Sequence, residues 1–529
     1  MGIINFKVYT PYKYSFEIIR EGFKGYFQGE YTEEKLNNIK IIDLSSGTGN
    51  LLCVALEKLI RLSKKIFGEY RYNENWVTAY DLDFMALEEY KRNIKKILNK
   101  YGVQGEIKAF YGDSLLTDIK EKYNIVLGNP PYIGEKNNKD IFESIKKSEF
   151  GKKYYQSKMD YFYFFIEKGI DILEENGVLS YIITNYWLKA DSATVLRKKL
   201  RDEGRYLYIN NFNTSVFKDV NGQHNMIFTW KKSLDDKVCS IKNYVLDEEV
   251  FKKDENNLKQ VVEKFFLNNE ELYDENGNIV LTNLENKKIT KKILEKSNFR
   301  LKDLLNINQG IISGYDKAFI SKDFLEEYRE YLKPFYKSKD IFKYSIKDRN
   351  EFWVLYLDKN TLINNKLLNY LEQYREKLEK RREVKSSKIK WWELQWSRDR
   401  NIFSGEKIIV RQRCKRNIFA YSDEDFFGSA DIYYLSKKNM DINLFYLLGY
   451  LNSEIFYKWY RINGKSKGYN LEFYSTPLKE TPVYYPEDEK EIKYIESLVK
   501  EQIVNYSEEN QKKIEDYFLK TYSISELER

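Results

Sequence analysis

Two adjacent prolines, Pro130 and Pro131, constrain this chain more than any other pair of residues. Neither can donate to a sheet ladder and each has φ fixed, so a strand that reaches them must stop. The residues before them, Tyr123 to Gly128, form a short apolar run of the kind that makes a buried strand. Asn129 is therefore expected at the carboxyl end of that strand, where open α/β sheets place their ligands. Tyr132 follows and adds a flat aromatic face. A carboxamide oxygen, a carbonyl with no local N–H partner and a ring together suit the gripping of a planar amino group.

Three earlier stretches repeat the pattern of an apolar strand closed by a polar or acidic cluster. Ile39 to Leu44 runs into Asp43-Leu44-Ser45-Ser46-Gly47-Thr48-Gly49-Asn50, with an apolar-periodic helix from Leu51. That strand, glycine turn and helix order lets backbone amides approach a ligand at a helix amino end. The acid that opens the turn separates it from the dinucleotide-binding glycine pattern. Trp76 to Tyr80 ends at Asp81-Leu82-Asp83, and Glu106 to Tyr111 ends at Gly112-Asp113-Ser114. An acid after a second strand suits a ribose diol, which would donate two hydroxyl hydrogen bonds to it. Asp83 is equally suited to cap the helix that follows. Four such clusters on successive strand ends predict one shared ligand cleft.

At 529 residues, 42% hydrophobic and 32% charged, the chain is long enough for two or three globular domains. Three dispersed cysteines and a single His224 argue against a disulfide framework or a structural zinc site, and no metal is expected. No signal-like amino terminus and no run long enough to span a bilayer are present, so a cytosolic protein without a membrane partner is expected. The net charge of +8 is concentrated: Arg381 to Ala420 alone carries a surplus of that size, interleaved with Trp391, Trp392, Trp396 and Phe419. A basic, aromatic segment of this kind is a candidate nucleic-acid surface.

The Lys- and Asn-rich stretch 133–159 reads as a mobile surface loop, followed by an aromatic helix, a strand from Gly177 and a helix from Ser192. Arg205 to Asn211 and Met226 to Trp230 read as the last two strands of the first domain. The polar stretch from Lys231 to Phe299 reads as a connector, and a second domain opens near Leu301.

Taken together, Tyr9-Thr10-Pro11, the D-x-x-x-G-x-G of Asp43 to Gly49, Asp81, Asp113 and the N-P-P-Y of Asn129 to Tyr132 resemble the γ class of DNA adenine-N6 methyltransferases. Residues 301–480, opening with Gly310-Ile311-Ile312-Ser313-Gly314-Tyr315-Asp316-Lys317-Ala318-Phe319, resemble the TaqI type of specificity domain. Arg381 to Trp396 and Asn129 to Gly134 are most similar to the solitary clostridial adenine methyltransferases linked to sporulation. The first motif departs from the usual D-P-A-C-G-S-G, with small serines at 45 and 46.

The resemblance implies a seven-stranded, doubly wound, Rossmann-like α/β methyltransferase domain over 1–232, a connector over 233–300 and a mixed α+β DNA-specificity domain over 301–529. It implies S-adenosylmethionine as cofactor, held by Tyr9, Thr10, Pro11, Asp43, Ser45, Gly47, Gly49, Asp81, Leu82, Asp113, Ser114 and Asn129. Asn129, Pro130, Pro131 and Tyr132 would be catalytic, and Tyr132 and Phe217 would stack on a flipped adenine, with Phe212 a nearby alternative to Phe217. Duplex DNA would be the partner of a monomer, through Lys317, Arg381, Arg382, Lys385, Trp396, Arg411, Arg413, Lys415 and Arg416. A separate cognate endonuclease stays open. Competing readings are methylation of a protein glutamine amide, a bifunctional restriction enzyme, and a DNA-binding protein on an inactive methylase fold.

Overall fold

The computed structural model describes residues 10–217, 223–235, 238–246, 260–467 and 470–525. The chain divides into two compact units, Met1–Asn283 and Leu284–Arg529.

The first unit is built on one mixed sheet of β1 (Ile41–Asp43), β2 (Val77–Asp81), β3 (Lys108–Tyr111), β4 (Tyr123–Gly128), β5 (Leu173–Thr184), β6 (Arg205–Asn211), β7 (Asn225–Lys231), β8 (Val238–Leu246) and β9 (Gln260–Asn268). Its spatial order is β3-β2-β1-β4-β5-β7-β6-β8-β9. The first five of these strands are parallel, and β7 runs antiparallel between β5 and β6. Strand order reverses between β1 and β4, the switch point at which open α/β sheets form their crevice.

The helices of this unit are α1 (Tyr12–Phe27), α2 (Glu33–Asn38), α3 (Asn50–Phe67), α4 (Phe84–Tyr101), α5 (Lys139–Lys147), α6 (Glu149–Tyr154), α7 (Phe162–Ile172) and α8 (Thr194–Glu203). Apolar residues at helical spacing bury one face each: Ile18, Ile19, Phe23 and Phe27 on α1, and Leu52, Ala55, Leu56 and Leu59 on α3. Asp83 caps α4, accepting from the Ala86 N–H at 3.1 Å.

The sheet has nine strands, where seven were expected. Strands β8 and β9 lie in the stretch read as a connector. Each buries only one face, through Cys239, Ile241 and Leu267, while Val238 and Phe266 stay exposed. Such strands carry too few apolar residues to stand out from a polar linker.

The stretch 133–159 is also more ordered than its composition suggests. It folds as α5 and α6, burying Phe142, Ile145 and Tyr154. Glu135, itself buried, draws the insertion together: its carboxylate accepts from Lys146 Nζ at 2.6 Å, Tyr155 Oη at 2.7 Å and the Lys158 N–H at 2.6 Å.

The second unit is mixed α+β. One four-stranded sheet joins Leu305–Gln309, Ile432–Lys437, Lys407–Arg411 and Phe419–Ser422, and another joins Ile320–Ser321, Phe352–Leu355, Leu332–Tyr336 and Phe427–Gly428. The helices Leu444–Leu451, Glu489–Val504 and Glu508–Thr521 share one core through Leu447, Ile495, Val499 and Phe518.

Removing the Glu135 carboxylate leaves two half-buried donors, Lys146 and Tyr155, and the Lys158 N–H without this acceptor, at about 1 kcal/mol for such a partly solvated group. Glu135→Ala is expected to lower the melting temperature and to speed tryptic cleavage within 136–158 while the rest of the chain stays intact. Mass spectrometry of a limited digest reads this directly.

Candidate active site at the carboxyl edge of the sheet

The carboxyl ends of β1, β2, β3 and β4 bring the sequence-derived residues to one edge. Asp43 closes β1 in register with Leu127 of β4, two residues before Asn129. The glycine turn then folds back on β2: the Gly47 N–H donates to Asp81 Oδ2 at 2.7 Å, and the Asp83 N–H donates to Asp81 Oδ1 at 2.8 Å. Gly47 and Gly49 have φ of +53° and +83°, backbone that favours glycine. At Gly49 there is a second reason, because a Cβ would lie 2.2 Å from the Tyr90 ring.

Asp43 is buried, and its Oδ1 accepts from the Ser45 N–H at 3.0 Å. Burial pushes its carboxyl up to about 7; the Ser45 N–H opposes that shift and the neighbouring Asp81 adds to it. Burial also raises Asp81, against the N–H groups of Asp83 and Gly47. Asp113 accepts from the Leu115 N–H at 3.0 Å, and Ser114 donates to the Leu44 carbonyl at 2.7 Å, tying the ends of β3 and β1. The hydroxyls of Ser45 and Ser46 are buried without a hydrogen-bond partner among the described residues. Leu82 is exposed beside Asp81, and Pro11 is the N-cap of α1. Tyr9 lies outside the described residues.

Asn129 is the junction of the edge. Its Nδ2 donates to Thr10 Oγ1 at 3.0 Å, and Asn50 Nδ2 donates to the Thr10 carbonyl at 3.2 Å. The amino-terminal Thr10-Pro11 pair, the start of α3 and the end of β4 are thus one hydrogen-bonded unit. The Tyr132 hydroxyl lies 2.8 Å from Asn129 Oδ1 and 2.9 Å from the Ile182 carbonyl, and can donate to either. Burial holds this phenol well above its ordinary value, so it is protonated.

Behind the loop, buried Asp160 accepts from the Ile133 N–H at 3.0 Å and from the Tyr186 hydroxyl. The Tyr132 ring meets Phe162 edge-on at 6.0 Å and Phe217 at 6.4 Å, tilted by 52°. Phe212 packs instead between Tyr14 and Tyr244, so Phe217 is the aromatic brought to Tyr132. Asp160 was not singled out from the sequence; a lone acid before an aromatic helix has no pattern that marks it.

In the second unit the expected basic residues separate into two groups. Arg381 is buried, and its guanidinium donates to the carbonyls of Leu378, Ser313 and Trp391 at 2.9, 3.1 and 2.6 Å. Arg411 donates to the Ile341 carbonyl. Both tie loops together, Arg381 from a buried position and Arg411 from a half-buried one. Lys317, Arg382, Lys385 and Lys415 are exposed, and Trp396 is half exposed. Arg413 pairs with Glu472 at 2.9 Å, and Arg416 pairs with Glu454 at 3.0 Å while covering the Tyr457 ring.

Residues 32–217 match the Eco57I restriction-modification methylase family, and residues 333–483 match the TaqI-like C-terminal specificity domain. The chain thus carries a stretch similar to an Eco57I-type methylase domain followed by one similar to a TaqI-like specificity domain. It is similar to the Type II methyltransferase M.HindII of Haemophilus influenzae, 27% identical over 422 residues, which cover 73% of this chain and 80% of that protein. It is also similar to the Type II methyltransferase M.BstVI of Geobacillus stearothermophilus, 23% identical over 94% of this chain and 93% of that one. Among solved structures, the Type IIL restriction-modification enzyme MmeI in complex with DNA shares the fold. Its TM-score is 0.70 at 14% identity, over 98% of this chain and 76% of that one. Among the described residues no cluster of His, Cys, Asp and Glu could hold a metal ion, and no helix is long and apolar enough to cross a membrane.

The Asp43 proton gives the first unit a signature in pH. The folded chain binds that proton more tightly than the unfolded chain, whose aspartate titrates at its ordinary value. The native state therefore loses this contribution as pH rises from about 4 to about 7. Asp43→Asn is expected to remove that part of the pH dependence, so that melting curves recorded from about pH 5 to pH 8 are flatter for the variant than for the parent.

Proposed function

We propose that this chain transfers a methyl group from S-adenosylmethionine to the 6-amino group of an adenine flipped out of duplex DNA. The observation that carries this reading is Asn129. Its carboxamide is held at the switch point between β1 and β4 by Thr10, and its oxygen faces a hydroxyl that an incoming amino group can replace.

The residues at the edge fit the cofactor. Asp43, Asp81 and Asp113 place three carboxyl groups on one sheet edge, acceptors for the ammonium and hydroxyl groups of such a ligand. The unpartnered hydroxyls of Ser45 and Ser46 offer polar atoms to it, and Gly47 and Gly49 let backbone approach it closely. Thr10, Pro11 and the Asp43–Gly49 turn would hold its methionine end, Asp81 with Leu82 its ribose, and Asp113 with Ser114 its adenine. The cofactor supplies an electrophilic methyl group.

The rest of the work falls to the chain. An exocyclic amino group on a purine is a poor nucleophile because its lone pair is delocalised into the ring. Asn129 Oδ1 and the Pro130 carbonyl accept its two hydrogens, which draws the nitrogen toward tetrahedral geometry and localises the lone pair. The two prolines cannot donate to a sheet ladder, so the strand ends before that carbonyl. The acceleration comes from orientation and fixed dipoles, with no strongly basic group required. Extruding the base costs a few kcal/mol, and stacking on Tyr132 and Phe217 at about 1–3 kcal/mol per ring offsets part of it. The exposed cations Lys317, Arg382, Lys385 and Lys415, with Arg413, Arg416 and Trp396, supply the DNA-facing surface of the specificity domain.

Asn129→Ala is expected to lower methyl transfer to duplex DNA by about two to three orders of magnitude, the scale for removing one preorganised polar group. Cofactor affinity should survive the change. Transfer of labelled methyl groups and calorimetric titration of S-adenosylmethionine measure the two quantities, and unimpaired transfer would reject the assigned role. Charge reversal at Arg382, Lys385 and Lys415 is expected to weaken DNA binding and to reduce its salt slope by about one for each phosphate that the chain no longer neutralises. Fluorescence anisotropy across a salt series reads that slope.

A further inference from the structure

A tyrosine ordinarily buries its ring and leaves its hydroxyl to water. Tyr186 does the reverse. It opens a one-turn helix, Tyr186–Leu188, just beyond the carboxyl end of β5. The two residues after it, Trp187 and Leu188, are buried, while Tyr186 is 47% exposed. Its hydroxyl nevertheless turns inward and donates to Oδ2 of Asp160, a residue only 5% exposed. The polar tip is tied down, and what the side chain offers outward is its ring.

The tether is stiff because Asp160 is shared. Its other oxygen accepts from the Ile133 N–H at 3.0 Å and from the Phe162 N–H at 3.3 Å. An antiparallel bridge between Gly134 and Asp160, and a bond of 2.9 Å from the Tyr161 N–H to the Ile133 carbonyl, hold the same two segments together. A buried carboxylate persists only when its oxygens are paired, and hydrogen bonds to a charged acceptor are the strong ones. Phe162, fully buried, meets Tyr132 edge-on at 6.0 Å and Tyr186 edge-on at 6.1 Å. Tyr186 therefore stands one ring beyond Tyr132 on the carboxyl edge of the sheet. An exposed ring adds little to the core, and anchoring it to a buried acid is a local departure of the kind found at functional sites.

We propose that Tyr186 is a further binding residue for the substrate: its ring stacks on the base that adjoins the extruded adenine in the same strand, and Asp160 is the positioning residue that fixes it. This rests on the reading that the chain flips an adenine out of duplex DNA. The rings of Tyr132 and Phe217, 6.4 Å apart, serve the flipped base itself. Extrusion deprives the neighbouring base of its stacking partner, and an aromatic face one ring further along the edge restores that contact. The carboxylate that orients Tyr186 also holds the N–H next after Tyr132, so the two aromatic supports keep a fixed spacing.

The target site is first read by methylation-sensitive sequencing of DNA from a host expressing the full chain. Steady-state methylation is then measured on a duplex with that site, and on two duplexes with an abasic residue on the 5′ or the 3′ side of the target adenine. On the intact duplex Tyr186→Ala should lower kcat/KM about tenfold, the scale of one base–aromatic stack, and the loss should fall mainly on KM for DNA. Tyr186→Phe keeps the ring and loses the tether, so its value should lie between those of the parent and Tyr186→Ala. On one of the abasic duplexes the ratio of parent to Tyr186→Ala should collapse toward one, because the stack is already gone. Circular dichroism and melting curves check that the variants fold, and calorimetric titration of S-adenosylmethionine should return the parent's affinity. Tyr186→Phe preserves the packing on Phe162 and carries the same comparison should Tyr186→Ala not fold. A parental kcat/KM in Tyr186→Ala, a Tyr186→Phe value equal to either extreme, or a ratio unchanged on both abasic duplexes would each overturn the proposal. A parent chain that methylates no DNA would instead overturn the function on which it rests.

Discussion

A single chain of hydrogen bonds holds the candidate site together: Asn50 to Thr10, Thr10 to Asn129, Asn129 to Tyr132, and Tyr132 to the Ile182 carbonyl. It joins a helix amino end, the amino-terminal segment and the ends of β4 and β5, which are far apart in sequence. Thr10 is buried and Asn129 and Tyr132 half-buried, so these polar groups cost free energy when left unpaired. The same linkage explains the choice of residues at 129–132. The prolines end the strand and leave carbonyls unclaimed by a ladder, the carboxamide spans two neighbours, and the tyrosine closes the far side. Without the switch point between β1 and β4, Asp43 and Asn129 would not share an edge.

Much of this is readable from residue pattern. Strand ends carrying Asp43, Asp81, Asp113 and Asn129 stand out because apolar runs, glycine turns and prolines are local signals, and local signals survive folding. Asp83 as a cap is legible on the same grounds. What the pattern does not carry depends on partners distant in the chain. Glu135 and Asp160 are ordinary surface acids by composition, and only burial against Lys146, Tyr155 and Tyr186 gives them their roles. Strands β8 and β9 hide because a strand near a sheet edge needs only one apolar face. Arg381 is hidden in a similar way: charge density in a segment does not tell which cation faces water, and this one is held by three carbonyls.

The second unit shows the same economy in its basic segment. Burial pulls the Arg381 guanidinium down to about 10 against the pull of Glu383 and Glu393, yet it stays charged and serves as a fork between loops. The neighbouring exposed cations are thereby carried on a rigid frame instead of a loose tail. Rigid placement matters for recognition, since ordering costs are then met on folding and not on binding.

The approach of the Tyr132 hydroxyl to Asn129 Oδ1 has a consequence for discrimination among possible acceptors of the group. The carboxamide at rest is already engaged by a phenol of the chain's own, with a second acceptor waiting for that phenol at Ile182. An amine that arrives without a flat ring attached gains one hydrogen bond and gives up another, so its entry is close to an even exchange. A nucleobase brings in addition a face for the surrounding aromatics. On the proposed function, selectivity would reside in the trade each newcomer makes with a resident side chain, and small solutes in the cell would have nothing extra to offer in that trade.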